Sequence, residues 1–257
     1  MTTNTTPIQT VHNIARLLRC FTETEGELGV MQLSRMLDLH KSTVSRLLSS
    51  LHQEGFIDKN PFTGKYQLGL NLIHLASFVL DRLDLREVAR PYLEKLAGLT
   101  QETINIAVLD RDMCLNIESI ISPKPIQHAG RLGARYPLYC TSTGRVLLSA
   151  LPLEKRELIL NDSLNAYTDQ TITDRHALEK ILEEVKLQGY AIVHEEYQEG
   201  LSAVAAPIRD HTGEVVAAIS ISGPRYRFDS IEIEDIVSIL SETANEISIQ
   251  LGGSIPR

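Results

Sequence analysis

The sequence predicts two domains of different class: a winged helix-turn-helix domain built mainly of helices, then an α+β domain. Three observations carry that expectation. In Gln32 to Gly55 (QLSRMLDLHKSTVSRLLSSLHQEG), Val44, Leu47, Leu48 and Leu51 fall at i, i+3, i+4 and i+7, which places an apolar stripe along one side of a helix. Directly after it, Phe56 to Lys59 and Lys65 to Leu68 read as two short strands about the turn-rich tip Asn60-Pro61-Phe62-Thr63-Gly64, with Gly64 free to take a positive φ. Beyond about Arg86, the helical period gives way to alternating or short apolar runs joined by helices and hairpins, the pattern of an α+β domain.

Opposite the apolar stripe, Ser42, Ser45, Arg46 and Ser49 repeat the same helical spacing. A small-hydroxyl and arginine face without an acid suits a major groove, where Arg takes guanine bidentately and short side chains allow close approach. Upstream, Leu33, Met36 and Leu37 give a short helix, and Asp38-Leu39-His40 leaves room only for a turn. Two helices so joined make a helix-turn-helix, and the hairpin that follows makes it winged rather than an ordinary amphipathic pair. The expected DNA contacts are Lys41, Ser42, Thr43, Ser45 and Arg46 on the helix, with Thr63 and Lys65 (and Lys59) in the wing reaching phosphate.

The flanks follow the same logic. Ile8, Val11, Ile14, Ala15, Leu18 and Phe21 mark a first helix expected to pack behind the recognition helix, and Glu25 to Gly29 breaks it. After the wing, Leu72, Leu75, Ala76, Val79, Leu80 and Leu83 form a spacer helix whose apolar stripe is either a dimer seam or a surface packed on the chain's own second domain. A helix through Val88, Tyr92, Leu93 and Leu96 follows. Strands are expected over Thr103–Leu109, Met113–Ile120, Tyr190–His194, Ser202–Ile208 and Glu214–Ser222. Between them lie helices near Gly144–Leu151, Leu153–Leu160 and His176–Gln188, and a last helix carries Ile236, Ile239, Leu240, Ile247 and Leu251. The domains are drawn at residues 1–70, 71–85 (linker helix) and 86–257.

Composition narrows the function. With 257 residues and 43% hydrophobic content, each domain can bury a core. No apolar run approaches the roughly 20 residues of a membrane span, and Met1 to Pro7 lacks the charged and apolar regions of a signal peptide, so a cytoplasmic protein is expected. Cys20, Cys114 and Cys140 are too scattered for a disulfide framework or a zinc site and read as small apolar residues. Residues 1–75 hold seven Lys/Arg against six Asp/Glu, leaving 18 against 27 for the rest, so the net charge of −8 belongs to the second domain. DNA affinity depends on the face offered to phosphate, so this acidity is tolerable at a distance from the duplex.

Two features of the second domain converge on a small anion. In Cys140-Thr141-Ser142-Thr143-Gly144-Arg145, hydroxyl residues precede an apolar helical run, which leaves N–H groups of a helix N-terminus to receive a carboxylate. In the strand Glu214–Ser222, Val216, Ala218, Ser220 and Ser222 share one face, so two hydroxyls point the same way. Catalysis finds little support. Gly-x-Ser-x-Gly, a Gly-rich phosphate loop, a His pair and a Cys pair at metal spacing are all missing from the sequence. His194-Glu195-Glu196 is expected to be a solvated strand end, and no cofactor is expected. An enzyme with its active site in the second domain and an accessory winged domain is the alternative, disfavoured for want of a catalytic constellation.

The runs LSRMLDLHKSTVSRLLSSLHQEGFI, TGKYQLGLNLIHLA and GYAIVHEEYQEGLSAVAAPIRDHTGEVVAAISISGP together resemble, in the right order and from end to end, the IclR family of bacterial transcription regulators. The resemblance implies a winged helix-turn-helix, a linker helix and a GAF-like effector-binding domain. It further implies homodimers or homotetramers that bind double-stranded palindromic operators, here as an expected repressor, and respond to a small organic acid. Asp38 and His40 stand where the family usually has Gly and Pro; Asp tolerates a left-handed turn, so the motif should survive. Pocket positions of the family's small-acid sensors correspond to His128, Tyr136, Ser142, Thr143, Val193, Ala203, Ser220 and Ser222. Val193 and Ala203 replace the Asp and Cys of keto-acid sensors, which points to a drier pocket with one polar end and an apolar body, favouring aromatic or medium-chain acids over glyoxylate or pyruvate.

Overall fold

Among the described residues, four helices and a two-stranded wing lie in the first of two units, residues 1–83, and a sheet with helices on both faces makes the second, residues 84–257. The computed structural model describes residues 8–24, 26–80, 84–128, 130–160, 164–230 and 232–253, with backbone alone at 23, 77–80 and 84.

In the first unit, α1 (Gln9–Glu23), α2 (Val30–Leu37) and α3 (Lys41–Gln53) enclose a core of Leu17, Cys20, Phe21, Leu33, Leu37, Val44, Leu47, Leu48, Leu51 and Ile57. The expected stripe of α3 is therefore the buried one. On α1 the expectation is partly wrong. Ile8 and Val11 are 71% and 61% exposed, and the core-facing side runs instead through Asn13, Leu17, Cys20 and Phe21, at i, i+4, i+7 and i+8. The wing pairs β1 (Ile57–Lys59) with β2 (Tyr66–Leu68), Ile57 opposite Leu68 and Lys59 opposite Tyr66. Leu28, expected to lie in a simple break, bridges Tyr66 through two backbone hydrogen bonds of 2.9 Å and ties the wing to the helices. Then α4 (Asn71–Leu80) begins; Leu70, Ile73 and Leu75 are exposed, while the expected side chains at 79 and 83 lie outside the described residues.

The second unit opens with α5 (Asp84–Thr100) and continues through β3 (Thr103–Asp110), β4 (Met113–Ile120) and β5 (Arg135–Pro137). Next come α6 (Ser142–Ala150), α7 (Leu153–Ile159), α8 (Arg175–Gln188), β6 (Ala191–His194), β7 (Leu201–Arg209), β8 (Val215–Pro224), α9 (Arg225–Phe228) and α10 (Ile233–Gln250). Only the short β5 and α9 were not expected. The six strands form one antiparallel sheet in the order β5-β4-β3-β8-β7-β6. Paired positions share a face, so Ile104, Ile106, Val204, Ile219 and Ile221 turn together towards α5 and α10. The opposite face, with Ala107, Cys114, Ala191, Ala205 and Ala218, is covered by α6 and α8 through Val146, Leu147, Leu148, Leu178 and Leu182. The small residues let α6 sit close to the sheet.

Leu48 is fully buried at the centre of the first unit. Leu48→Ala should destabilise that unit by about 2–5 kcal/mol through lost transfer energy and the cavity left behind; chemical denaturation followed by circular dichroism checks it, and an unchanged midpoint would contradict the packing.

Candidate functional site

In the first unit the turn between α2 and α3 is made by Asp38, which takes the left-handed conformation (φ 54°, ψ 47°) and donates its N–H to the end of α2. His40 then caps α3: its Nδ1 accepts from the Ser42 N–H at 3.3 Å and lies 2.7 Å from the Ser42 hydroxyl. Lys41, Ser42, Ser45 and Arg46 are exposed and Thr43 half-exposed, so α3 presents the acid-free face intact, although the Ser42 hydroxyl is engaged by the cap. The wing differs from expectation at Thr63. Its hydroxyl donates to Glu27 at 2.6 Å and accepts from the Lys65 N–H, so it braces the turn before it can offer a proton to phosphate. Hydrogen bonds from Thr63 and Asn60 hold the Glu27 carboxyl below its ordinary range. Lys59 and Lys65 remain exposed.

In the second unit His128, Tyr136, Ser142, Thr143, Val193, Ala203, Ser220 and Ser222 all line one cavity of about 60 Å³. One wall is the start of α6. Thr141 caps it, accepting from the Gly144 N–H at 3.3 Å and donating to the Pro137 carbonyl at 2.7 Å, which leaves the N–H groups of Ser142 and Thr143 without partners inside the helix. A Cβ on residue 144 would overlap the Leu138 carbonyl oxygen, so only glycine lets the helix begin here. The floor is the sheet: register pairs Val193 with Ala203, Ala203 with Ser222 and Asn105 with Ser220.

Polar groups line more of the cavity than the sequence suggested. Asn105 Nδ2 donates to Ser222 Oγ at 3.3 Å, Asn116 Nδ2 to Asn105 Oδ1 at 3.3 Å, and Ser119 Oγ to Asn105 Oδ1 at 2.8 Å. Asn116 lies on the same face as Cys114, opposite Ala107, and the β3–β4 register shift between Ile106 and Ala107 then places Ser119 opposite Asn105 on that face. The hydroxyls of Ser142 and Ser220, in residues 3% exposed, have no partner among the described residues. The expectation of one polar end and an apolar body is thus corrected: Val193, Ala203, Leu201 and Cys140 are apolar as expected, but the amides bring polar chemistry to a second region, two residues along the strands from Ala107 and Cys114 under α6.

Glu196 is a second correction. Rather than ending a strand in solvent it is buried against Arg145, whose Nη2 lies 2.5 Å from its carboxylate and whose Nε donates to the Tyr139 carbonyl at 2.8 Å. Burial pushes the Glu196 carboxyl up and Arg145 pulls it back. Burial also lowers the His128 pKa and raises that of Tyr136, and pushes the Cys140 thiol up to about 12, so these three are neutral at neutral pH. The Arg145–Glu196 charges compensate each other, so the polar groups left to face the cavity are N–H groups, hydroxyls and amides. Tyr136, Tyr197 and Tyr167 form a chain of rings at the rim, with centroids 5.4 and 5.2 Å apart.

A family model for the IclR helix-turn-helix domain matches residues 10–61, and one for the bacterial transcriptional regulator IclR C-terminal domain matches residues 77–249. The chain belongs to the IclR family of bacterial transcriptional regulators. It is accordingly a DNA-binding transcription regulator and not an enzyme. It is 33% identical over 246 residues to the HTH-type transcriptional regulator XynR of Escherichia coli K12, covering 95% of this chain and 98% of that protein. It is 36% identical over 229 residues to the regulator KdgR of the same strain, covering 89% and 87%. Among solved structures, an IclR homologue from Microbacterium hydrocarbonoxydans complexed with 4-hydroxybenzoate superposes with a TM-score of 0.84 at 28% identity, covering 94% of this chain and 98% of that one. No helix among the described residues of this regulator is long and apolar enough to cross a membrane.

Sequence reading missed Asn105, Asn116 and Glu196. The two amides interrupt the apolar runs TINIAV and MCLNIE, a signal open to strand-period counting, since Asn105 lies two residues from Ala107 and Asn116 two from Cys114. Glu196 carried no signal, since its partner lies 51 residues away.

Removing Arg145 tests the buried pair. In Arg145→Met the upward push on Glu196 is unopposed. A carboxyl whose folded pKa lies above its unfolded value favours folding at low pH, an advantage lost as pH rises through the folded value. The variant should lose about 3–5 kcal/mol at neutral pH and regain part of it as the pH is lowered through the raised Glu196 value; urea titrations at neutral and acidic pH measure this, and a pH-independent loss would argue against an isolated buried charge.

Proposed function

We propose that this regulator is a repressor that binds a palindromic operator as a homodimer or homotetramer and is switched by a compact organic acid in the cavity of its second unit. The observation that carries the reading is the convergence, in one cavity, of the unpaired start of α6, the partnerless hydroxyls of Ser142 and Ser220, and the amide group of Asn105 and Asn116. The N–H groups of Ser142 and Thr143 receive the carboxylate. Asn105, Asn116 and Ser222 receive a second polar group on the ligand, and Val193, Ala203 and Leu201 cover its middle. Volume supports a small ligand, since 60 Å³ corresponds to roughly four or five water positions. The 4-hydroxybenzoate bound by the Microbacterium homologue, a carboxylate with a distal hydroxyl, has the same two-ended chemistry.

DNA is read by α3, with Arg46 and Ser45 at base edges and Lys41, Thr43, Lys59 and Lys65 at phosphate; Ser42 and Thr63 set the cap and the wing that hold these groups. Residues 71–85 act as a linker, and the exposed apolar residues Leu70, Ile73 and Leu75 join two copies so that paired recognition helices span a palindrome.

Arg46→Ala should cost about 1–3 kcal/mol of operator affinity and flatten base preference at one position per half-site. A gel-shift titration at fixed salt showing wild-type affinity and specificity would remove α3 from the interface. For the cavity, calorimetric titration should find acids with a hydroxyl or carbonyl distal to the carboxylate binding more tightly than benzoate or unsubstituted alkanoates. Ser220→Ala should weaken binding by about 1 kcal/mol; preference for benzoate over its hydroxylated counterpart would overturn the two-ended reading.

A further inference from the structure

The wing tip presents one side chain that takes no part in holding the tip. Phe62 is 96% exposed, the largest value among the described large apolar residues. Every neighbour is committed to building the turn. Asn60 Oδ1 accepts the Phe62 N–H at 2.8 Å and the Thr63 N–H at 3.3 Å, Asn60 Nδ2 donates to Glu27, and Thr63 Oγ1 donates to Glu27 at 2.6 Å. Asn60 N–H meets the Lys65 carbonyl at 2.8 Å, Gly64 N–H meets the Asn60 carbonyl at 2.9 Å, and Gly64 supplies the left-handed residue at φ 67°. A turn braced this thoroughly holds its apex in a fixed place. A phenyl ring held in water on such an apex has surface to bury only against a partner.

The partner follows from what surrounds the ring. The tip belongs to the unit that carries the DNA-reading helix, and it is flanked by exposed Lys59 at the end of β1 and exposed Lys65 just before β2. Glu27, the acid that meets the tip among the described residues, is turned into Asn60 and Thr63. We propose that Phe62 is a DNA-contacting residue of this regulator, entering the minor groove beside each half-site while Lys59 and Lys65 hold the phosphates on either side of it. Apolar side chains act in minor grooves as wedges against or between base pairs. The groove floor sets the consequence. G·C pairs place the guanine 2-amino donor there, which a phenyl ring would desolvate without offering an acceptor, whereas A·T pairs present no such donor. Phe62 therefore gives the wing a preference for A·T pairs at positions that α3 does not read.

The inference rests on the winged unit being the DNA contact, and the test separates the two. Duplexes selected from a random pool by the wild-type protein are remade with A·T, G·C or inosine·C pairs at the positions flanking each half-site; inosine keeps the major-groove pattern of guanine but lacks the 2-amino group. Affinities are then measured at fixed salt for wild type, Phe62→Ala and Arg46→Ala. Wild type should bind the A·T and inosine duplexes on the order of tenfold more tightly than the G·C duplex, a difference of the size of one mismatched pair. Phe62→Ala should bind all three alike and fold as stably as wild type, since its ring is exposed. Arg46→Ala should keep the flank preference while losing preference within the half-site. Wild-type flank discrimination by Phe62→Ala would overturn the proposal, as would a loss of affinity that is equal on all flanks and accompanied by a change in oligomeric state, which would make Phe62 a contact between protein copies. Unchanged binding by both variants would instead remove the winged unit's assignment altogether.

Discussion

Everything in the effector cavity depends on how closely α6 approaches the segment that leads into it. Residues 142–149 are all buried, and at Gly144 the helix lies against the Leu138 backbone, where any side chain would overlap the carbonyl oxygen. That contact brings the open N-terminus of the helix over the sheet rather than into water. It also buries Arg145, which then requires the Tyr139 carbonyl and Glu196 as partners. Glu196 in turn accepts from the Ile172 N–H, and its carbonyl accepts from Thr171, so the chain between α7 and α8 is drawn to the same place. A single close approach thus sets the anion-receiving groups, the buried ion pair and the segment beside them.

The sheet contributes chemistry through small residues. Ala107, Ala205 and Ala218 let α6 pack down, and one pleat further along the same strands carry Asn105, Ala203 and Ser220, where no helix residue fills the space. The cavity is the place where the covering helix ends and the sheet continues. Its lining leaves the hydroxyls of Ser142 and Ser220 without a hydrogen bond to any other described residue. A ligand that completes them therefore has differential affinity for this arrangement, which is what an effector needs in order to shift a population.

The winged unit works by different means. Its core is small, so short-range braces carry much of its definition: Asp38 in a left-handed turn, His40 as an unusual cap, Arg16 donating to the Leu37 carbonyl at 2.9 Å, and Glu27 gripping the wing tip. These substitutes explain why departures at residues 38 and 40 leave the helix-turn-helix geometry intact. The same braces engage the hydroxyls of Ser42 and Thr63 within the chain, while Ser45, Arg46, Lys59 and Lys65 stay exposed.

The sequence by itself determined the elements, because their signals are local. The 3.6-residue stripe of α3, the turn chemistry of the wing and the alternation of β3, β7 and β8 depend on neighbours within a few residues, and each appears within a residue or two of its expected bounds. It also picked out residues that line the cavity, since hydroxyls before an apolar helix and serines two apart on a strand are short-range patterns. Only the tertiary structure decided what surrounds that point. Asn116 joins the cavity because β4 pairs it with Ala107, beside Asn105, and Glu196 is buried because Arg145 comes to it from 51 residues away. Which side of α1 is buried was likewise settled by α2 and α3, against an apolar pattern that favoured Ile8 and Val11. Periodicity reports which faces an element has; which face is covered, and by what partner, is set by contacts between segments far apart in the chain.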